Sequence, residues 1–496
     1  MRSLSFVDFV QFKDVYTGSS RNLCLFDVDR DGDKELILGF WDSGPLMENG
    51  EADAEHSLGC LYVIKHRRIW KVNRELGMVL CVTAGNIVRK QEPWIICLCA
   101  DSHCYAFDAT IHVDTQSQTM NTFTVAPHEV KSVSTKERIL PLPLKMVHHQ
   151  QLAYNAKDIC LINTDNACDI AVAHSDRVVR LYTWCPAENR AVTTKDDVNH
   201  HGAFVILIKW ELAGQVNRID THWTSKFGML LIASQPGGGF AVLQRKFEKY
   251  KDNIVPTLVY YPPGVANTRN LDARSWLVGN VRGRSTTSTR SAGTGSGGGQ
   301  STVDSVRPIV AVCMADGTVL FVDPTVEDAA ERVLWCVQLY VRGELFGLSK
   351  LNLTSEDTDE VCACAWDGTT YVFNDRKEIL RFPMGQSCQA FTAGWYAVEP
   401  KRNEPVFVYT TCDHNLLIYY NLNIEQLTER SLFSVLSENE SLKSQFRSIN
   451  IDPNDRVQVQ KTVRRLLYGT NKCDDCPHSN FSVQPTDGHS IDSQHT

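Results

Sequence analysis

Short apolar runs separated by tight polar turns recur along the chain between residues 36 and 420. An apolar run, a turn and a second apolar or aromatic run together predict a β-hairpin. A looser unit turns at 235–239, and a split unit joins 36–38 to 60–64 across a polar insert. The pattern therefore predicts seven hairpins, and the other five turn at Asp101, Asp176, Asp316, Asp367 and Asp413, with the Asp316 and Asp367 units the clearest.

The Asp316-Gly317 and Asp367-Gly368 turns predict type I′ geometry, in which both central residues need a positive φ. A further apolar strand follows several hairpins and carries Trp70, Trp210 or Trp335. We interpret these Trp side chains as core between neighbouring units. Four strands in each of seven units predict an all-β fold, a seven-bladed β-propeller with FG-GAP-like repeats and a short C-terminal α-helical extension.

The predicted propeller occupies residues 1–422. Closure of the ring predicts an N-terminal strand near 7–12 beside 416–420, because a free strand edge invites aggregation. Polar inserts fall at 42–58, 111–150 and 244–275, and a Gly/Ser/Thr-rich segment at 283–305 predicts a flexible loop. A helical extension is predicted at 423–469 from spacings such as Leu442, Phe446 and Ile449. Residues 470–496 are predicted to be a disordered tail.

One turn, residues 27–35, reads D-x-D-x-D-G-x-x-E and leads into an apolar strand. Alternating carboxylates converge when the backbone coils tightly, and Gly32 allows the sharp turn. The loop opens like an EF-hand loop, but position twelve is Leu38, and Glu35 closes the loop at position nine. A nine-residue loop that feeds a strand is typical of the FG-GAP repeat of integrin-α-type propellers.

The acidic turn predicts a weak calcium site. Four side chains would supply oxygens, and Asp33 would supply its backbone carbonyl. Because extracellular-type sites bind calcium with constants of about 10⁻⁴–10⁻³ M, we expect the loop to be largely empty in the cytosol and to tolerate Asp31→Asn. The candidate ligands are Asp27, Asp29, Asp31, Asp33 and Glu35.

The nine-residue frame recurs with fewer acids at 161–169 and 352–360. The closing residue is Asp169 in the first copy and Glu360 in the second, and an apolar strand follows each. Asn166 and Asp357 take the place of Gly32, and both tolerate a left-handed backbone better than most residues. The loop shape is therefore expected to persist where the charge does not.

Composition narrows the class of protein. The chain has 496 residues, 43% of them hydrophobic, and a net charge of −8, which gives no attraction to nucleic acid or anionic lipid. We see neither a signal peptide nor a run of about 18 apolar residues that could span a membrane. With 17 cysteines, an odd number, we expect a reduced, cytoplasmic protein.

The sequence offers little catalytic chemistry. It shows no acid/base pair, no G-x-S-x-G and no cofactor fingerprint, and the Gly run at 293–299 lacks the Gly-Lys-Ser/Thr ending of a P-loop. We interpret His148 and His149 as solvated loop residues. Two alternatives to a non-enzymatic scaffold stay open: a calcium-dependent extracellular adhesion propeller, and an enzyme that uses the propeller channel.

Several segments resemble the integrin-alpha FG-GAP repeat-containing protein 2 family: residues 351–372, the 176–180 strand followed by Trp184, and the Asp452-Pro453 helical tail. The resemblance covers roughly residues 1–468. It implies a KICSTOR subunit, peripheral to the lysosomal membrane through its partners. Such a subunit helps to recruit the GATOR complex and so restrains target-of-rapamycin signalling when amino acids or glucose are scarce.

Overall fold

The computed structural model describes residues 2–3, 7–42, 58–111, 141–186, 202–244, 258–260, 274–285, 305–422 and 439–462. Short gaps within these ranges fall at 14, 16–18, 90, 165–166, 226–227, 325, 327–331, 342, 354–357, 375–376, 454, 456 and 460. Most of the predicted inserts, the interior of the Gly/Ser-rich loop and the 470–496 tail lie outside the described residues.

Seven antiparallel sheets form the blades of the propeller. Before them come β1 (Arg2–Ser3) and β2 (Asp8–Phe12). Blade I contains β3 (Leu23–Phe26), β4 (Glu35–Asp42), β5 (Leu58–Lys65) and β6 (Arg68–Leu76). Blade II contains β7 (Val79–Asn86), β8 (Pro93–Cys99) and β9 (His103–Asp108) and, after β10 (Leu142–Pro143), β11 (Lys145–Gln151). Blade III contains β12 (Ala156–Asn163), β13 (Cys168–His174), β14 (Val178–Pro186) and β15 (Gly202–Glu211).

The remaining blades follow in chain order. Blade IV contains β16 (Ile219–Thr224), β17 (Gly228–Ser234), β18 (Phe240–Leu243) and β19 (Leu258–Tyr260). Blade V contains β20 (Ser275–Ser285), β21 (Ser305–Met314), β22 (Thr318–Val322) and β23 (Val333–Gln338). Blade VI contains β24 (Leu345–Leu351), β25 (Glu360–Ala365), β26 (Thr369–Phe373) and β27 (Ile379–Pro383). Blade VII contains β28 (Cys388–Glu399), β29 (Arg402–Thr411) and β30 (Leu416–Tyr420).

The ring closes through its first strands and through the N-terminus. The first strand of each blade contacts that of the next, and β28 contacts β3 to complete the circle. The N-terminal strand β2 pairs antiparallel with β30, in the register Asp8 to Tyr420 and Phe12 to Leu416. Both the seven-bladed fold and the predicted closing strand are confirmed.

Two blades carry a fifth strand that the sequence did not predict. The two-residue strand β10 adds parallel to β6 on the outer edge of blade I. In the same way β1 adds parallel to β27 on the outer edge of blade VI. Segments of the chain itself therefore cover two of the seven outer edges.

The core lies between neighbouring blades. The second strands β8, β13 and β25 are buried along their whole length, which explains their continuous apolar sequences. Trp210 is fully buried, and Trp335 stacks on Phe321 with 4.3 Å between ring centroids. Trp70 is half-buried against the core of blades I and II. The interpretation of these Trp residues as core is confirmed.

The hairpin turns differ from the predicted type I′. Gly317 donates to the Met314 carbonyl, and Gly368 donates to the Ala365 carbonyl. Gly317 and Gly368 have φ of 93° and 78°, whereas the preceding Asp residues do not have a positive φ. Each loop is therefore a type I turn followed by a left-handed residue. In each turn the Asp side chain accepts a hydrogen bond from the backbone N–H two residues later. Asp316 Oδ1, for example, accepts from the N–H of Thr318 at 3.0 Å.

The chain divides into two compact units, Met1–Leu427 and Thr428–Thr496. In the second unit, α1 (Glu440–Ser448) is capped by the Asn439 side chain, which accepts from the backbone N–H groups of Ser441 and Leu442. Ile449, predicted on the helical face, is the exposed C-cap residue. Among the described residues, no helix has the length and hydropathy needed to cross a bilayer.

Removing residues 1–12 should open the ring at β30. We expect the free energy of unfolding to fall by at least about 2 kcal/mol, because the half-buried side chains of Val10 and Phe12 each contribute about 1 kcal/mol and the ladder hydrogen bonds add to this. The exposed edge should also promote self-association. Urea unfolding and light scattering measure both effects. Removing residues 1–6 takes only β1 and is the control; equal losses from the two deletions would contradict the closing role of β2.

Candidate functional site

The acidic loop, residues 27–35, is held first by its own backbone contacts. Asp27 accepts from the N–H of Arg30 at 2.7 Å and from the N–H of Gly32 at 3.0 Å. Asp31 accepts from the N–H of Asp33 at 2.9 Å. Arg30 and Gly32 take left-handed φ of 65° and 92°, so the loop needs glycine at one position and tolerates strain at the other.

The closing glutamate ties the end of the loop to its beginning. Glu35 is fully buried, and its Oε2 accepts from the N–H of Val28 at 3.0 Å. The frame at 352–360 repeats this bond, since buried Glu360 accepts from the N–H of Leu353 at 2.8 Å. The loop closure is thus shared by two copies of the repeat, although only one keeps its full set of acids.

A lysine that the sequence analysis missed lies inside the acidic loop. The Lys65 ammonium, at the end of β5, is 2.5 Å from Asp29 Oδ2, 2.6 Å from Asp31 Oδ2 and 3.0 Å from Glu35 Oε1. The ammonium also lies 5.0 Å from the centroid of the Trp70 ring, within the range of a cation–π contact. The register between β4 and β5 is the signal for this contact. Leu36 pairs with Ile64, so the adjacent residues Glu35 and Lys65 lie opposite each other at the end of the strand pair.

Burial and the contacts between the loop carboxylates and the ammonium shift the pKa values of these groups. Burial acts to lower the pKa of Lys65, but its hydrogen bonds to Asp29, Asp31 and Glu35 outweigh burial and raise that pKa well above its usual range. For Asp31, the bonds from Lys65 and Asp33 outweigh burial and hold the pKa below its usual range. Burial raises the pKa of Glu35 to about 7. The ammonium therefore stays charged throughout the physiological range.

The acidic loop also joins blade I to blade VII. Asp33 is buried, and its Oδ2 accepts from the N–H of Lys401 at 2.9 Å. Asn403 completes the joint: its Oδ1 accepts from the N–H of Lys34 at 2.8 Å, and its Nδ2 donates to the Gly32 carbonyl at 2.7 Å. The loop therefore stabilises the boundary at which the ring closes.

Only three of the five predicted calcium ligands have oxygens spaced closely enough to share a metal ion. One oxygen from each of Asp27, Asp29 and Glu35 lies within 4.8 Å of the others, a spacing that could hold a metal ion. Asp31 shares Lys65 with Asp29, and the side chain of Asp33 faces blade VII. The calcium site stays a prediction at this stage.

A second cluster lies where the first strands begin, at one end of the ring. The 3₁₀ turn Ser20–Asn22 bonds to three blades. Ser20 Oγ accepts from the N–H of Phe391 in blade VII, Asn22 Nδ2 donates to the Val79 carbonyl in blade II, and Arg21 Nη2 donates to the Asn217 carbonyl next to blade IV. This turn therefore links several blades across the end of the ring.

We call this cluster the arginine mouth, after Arg21, Arg218 and Arg274, which line a cavity of about 170 Å³ together with Trp276, Phe346 and Trp366. Buried Asp158 lies 3.3 Å from Arg218 and 3.7 Å from Arg21. Arg274 pairs with Glu344 at 3.1 Å, and both side chains are exposed. The charged residues that line the cavity are three arginines and one glutamate, so the lining carries a net positive charge.

The expected solvated histidines are not in a loop. His148 and His149 lie on β11. His148 packs edge-on against Trp184 at 4.8 Å between centroids, and His149 stacks on Tyr105 at 4.7 Å. The loop placement is wrong, because residues 145–151 pair with β9. His149 is exposed as expected, whereas His148 is half-buried.

Comparison with known proteins gives the family and the fold. A family model described as integrin-alpha FG-GAP repeat-containing protein 2 matches residues 64–424. The mouse protein named KICSTOR complex protein ITFG2 is 26% identical over 503 residues, which cover 97% of this chain and 99% of the mouse protein. The Bos taurus protein of the same name is 27% identical over 452 residues, which cover 90% of this chain and 76% of that protein.

A solved structure, the crystal structure of BBS1N in complex with ARL6DN soaked with mercury, is also similar. It superposes with a TM-score of 0.50 at 11% identity and covers 86% of this chain and 100% of that chain. At this identity, the likeness concerns the fold alone.

Arg21 and Arg274 should differ in their effect on stability. We expect Arg21→Met to lower the free energy of unfolding by about 1–2 kcal/mol, because it removes a charged hydrogen bond and a partner of buried Asp158. Arg274→Met should cost less than about 0.5 kcal/mol, since its ion pair with Glu344 is exposed. Urea unfolding of both variants measures the difference, and equal losses would contradict the bridging role of Arg21.

Proposed function

Because the chain belongs to the integrin-alpha FG-GAP repeat-containing protein 2 family, we propose that it is a non-enzymatic scaffold subunit of a KICSTOR-type complex. The observation that carries the proposal is the match along 97% of the chain to a relative named as a KICSTOR complex protein. In this role the chain binds the other KICSTOR-type subunits, recruits the GATOR complex to lysosomes and restrains target-of-rapamycin signalling when amino acids or glucose are scarce. It reaches the lysosomal membrane through its partners.

The geometry supports a scaffold better than a channel enzyme. At the end of the ring where the first strands begin, Arg21 bonds to the Asn217 carbonyl and pairs with buried Asp158. These contacts commit Arg21 and Asp158 to holding blades together. A ring whose first strands contact one another all the way round also presents its loops in fixed positions, as a scaffold requires.

The arginine mouth is the surface that we expect to take a partner. Arg274 keeps 64% of its side chain exposed, and Trp366 is 44% exposed beside it. Arginine binds carboxylates through paired hydrogen bonds, and exposed Trp and Arg residues often dominate binding energy at interfaces. The expected partner is an acidic segment of another subunit.

Affinity purification of the tagged full chain, followed by mass spectrometry, tests the proposed function. We expect KICSTOR-type subunits and GATOR components to copurify, and Arg274→Glu to reduce at least one of them by about tenfold, which corresponds to about 1.4 kcal/mol. Lys209→Glu is the control, because Lys209 forms a similar exposed ion pair with Glu211 on β15. If neither subunits nor GATOR components copurify with the wild type, the proposed function is wrong. If both variants retain every partner, the mouth is not the binding surface.

Ending the chain after Leu427 should separate folding from binding. The second compact unit begins at Thr428, so the propeller should keep its melting temperature to within a few degrees. We expect the shortened chain to lose a partner, because the predicted helical extension presents apolar side chains such as exposed Ile449 and Val457. Calorimetry and copurification measure the two results, and a shortened chain that retains all partners contradicts the binding role.

A further inference from the structure

The Lys65 ammonium lies against two of the three carboxylates whose spacing could hold a metal ion. Its Nζ lies 2.5 Å from Asp29 Oδ2 and 3.0 Å from Glu35 Oε1, and both residues belong to the group with metal-like spacing. Calcium takes six to eight oxygens at about 2.3–2.6 Å. An ion at that distance from the same oxygens would overlap the ammonium, so the residues do not fit a calcium ion while Lys65 is in place.

The other predicted ligands are also committed elsewhere. Both oxygens of Asp27 accept backbone N–H groups, at 2.7 Å and 3.0 Å. Asp33 accepts from the N–H of Lys401 in blade VII. A calcium ion would have to compete for Asp27 and to displace Lys65 from Asp29, Asp31 and Glu35 together.

The bond that closes the loop also forms in a frame with fewer acids. The bond from the Val28 N–H to Glu35 has its counterpart in the bond from the Leu353 N–H to Glu360, in a frame with fewer acids. What the full set of acids needs is a positive charge, because crowded carboxylates repel one another. Lys65 supplies it, and only 8% of this residue is exposed.

We propose that the ammonium of Lys65 is the resident cation of the acidic loop. It offsets part of the negative charge of Asp29, Asp31 and Glu35, excludes calcium from the loop and holds the joint between blades I and VII without a metal ion. Removing the ammonium while keeping the length of the side chain turns the loop into a calcium site.

Calorimetric titration of the purified full chain with calcium chloride tests the exclusion. We expect the wild type to show no binding up to about 10 mM calcium, and Lys65→Met to bind with a dissociation constant of about 10⁻⁴–10⁻³ M, as loops of this type do. The melting temperature of Lys65→Met should be lower than that of the wild type and should recover in calcium. Wild-type binding as tight as that of Lys65→Met, or no binding by the folded variant, overturns the proposal.

A second variant decides the question if Lys65→Met does not fold. Asp31→Asn keeps the acceptor for the Asp33 N–H and removes one anionic partner of Lys65. An empty acidic loop would tolerate this change, but with a resident ammonium the melting temperature should fall by a few degrees, equally with and without calcium. A rise, or a fall seen only in calcium, overturns the proposal, because either result means that the carboxylates lack a positive charge of their own.

Asp176→Asn is the matched control for Asp31→Asn. Asp176 accepts the N–H of Val178 through one oxygen and pairs with Arg180 through the other, and its side chain is 49% exposed against 45% for Asp31. The control should leave the melting temperature within about one degree, because Asp176 forms a simple ion pair with Arg180, whereas Asp31 is one of three carboxylates that share the Lys65 ammonium. If Asp176→Asn lowers the melting temperature as much as Asp31→Asn does, then any exposed turn aspartate has this effect on stability. That result would overturn the special role of Lys65.

Discussion

The pairing of β2 with β30 is the contact on which the rest of the structure depends. Blade VII takes three strands from the end of the propeller and its fourth from the N-terminus, so the ring is complete only when these two segments meet. Once it is complete, the first strands contact one another around the circle. Both candidate sites depend on this closure: the acidic loop contacts blade VII directly, and the arginine mouth collects residues from several blades.

Carboxylates that accept backbone N–H groups from the next blade recur at the blade boundaries. Asp158 accepts from Ile219 at 2.7 Å between blades III and IV, and Asp220 accepts from Gly279 at 2.9 Å between blades IV and V. A Cβ at Gly279 would lie 2.1 Å from the Thr221 carbonyl oxygen, so this close approach requires glycine. At the boundary of blades I and VII, Asp33 in the β3–β4 loop accepts from Lys401 in the β28–β29 turn. The boundary acids thus fix the angle between neighbours where apolar packing alone is non-directional.

The blade count and the closing strand were predictable because both follow from local rules, namely alternating apolar strands, turn residues and the need to cover an edge. Lys65 was not predicted, because an insert separates β4 from β5 and conceals the register that sets Lys65 beside Glu35. The arginine mouth could not be predicted from the sequence for a similar reason. Arg21, Arg218 and Arg274 are distant in sequence, and only the circular arrangement of the blades brings them to one cavity. The type I′ assignment was wrong because Asp-Gly also suits a type I turn with glycine in the following position.

The ring closure has a consequence for how the chain is made. Gln11 and Asn415, which bond across the β2–β30 pair, are 404 residues apart. At about 5–20 residues per second during synthesis, the first strand waits on the order of 20–80 seconds for its partner. Blades I to VI can form in that interval, but blade VII cannot. Until β30 leaves the ribosome, the nascent chain therefore carries β2 as an unpaired strand at its N-terminus, which is open to pairing with another copy.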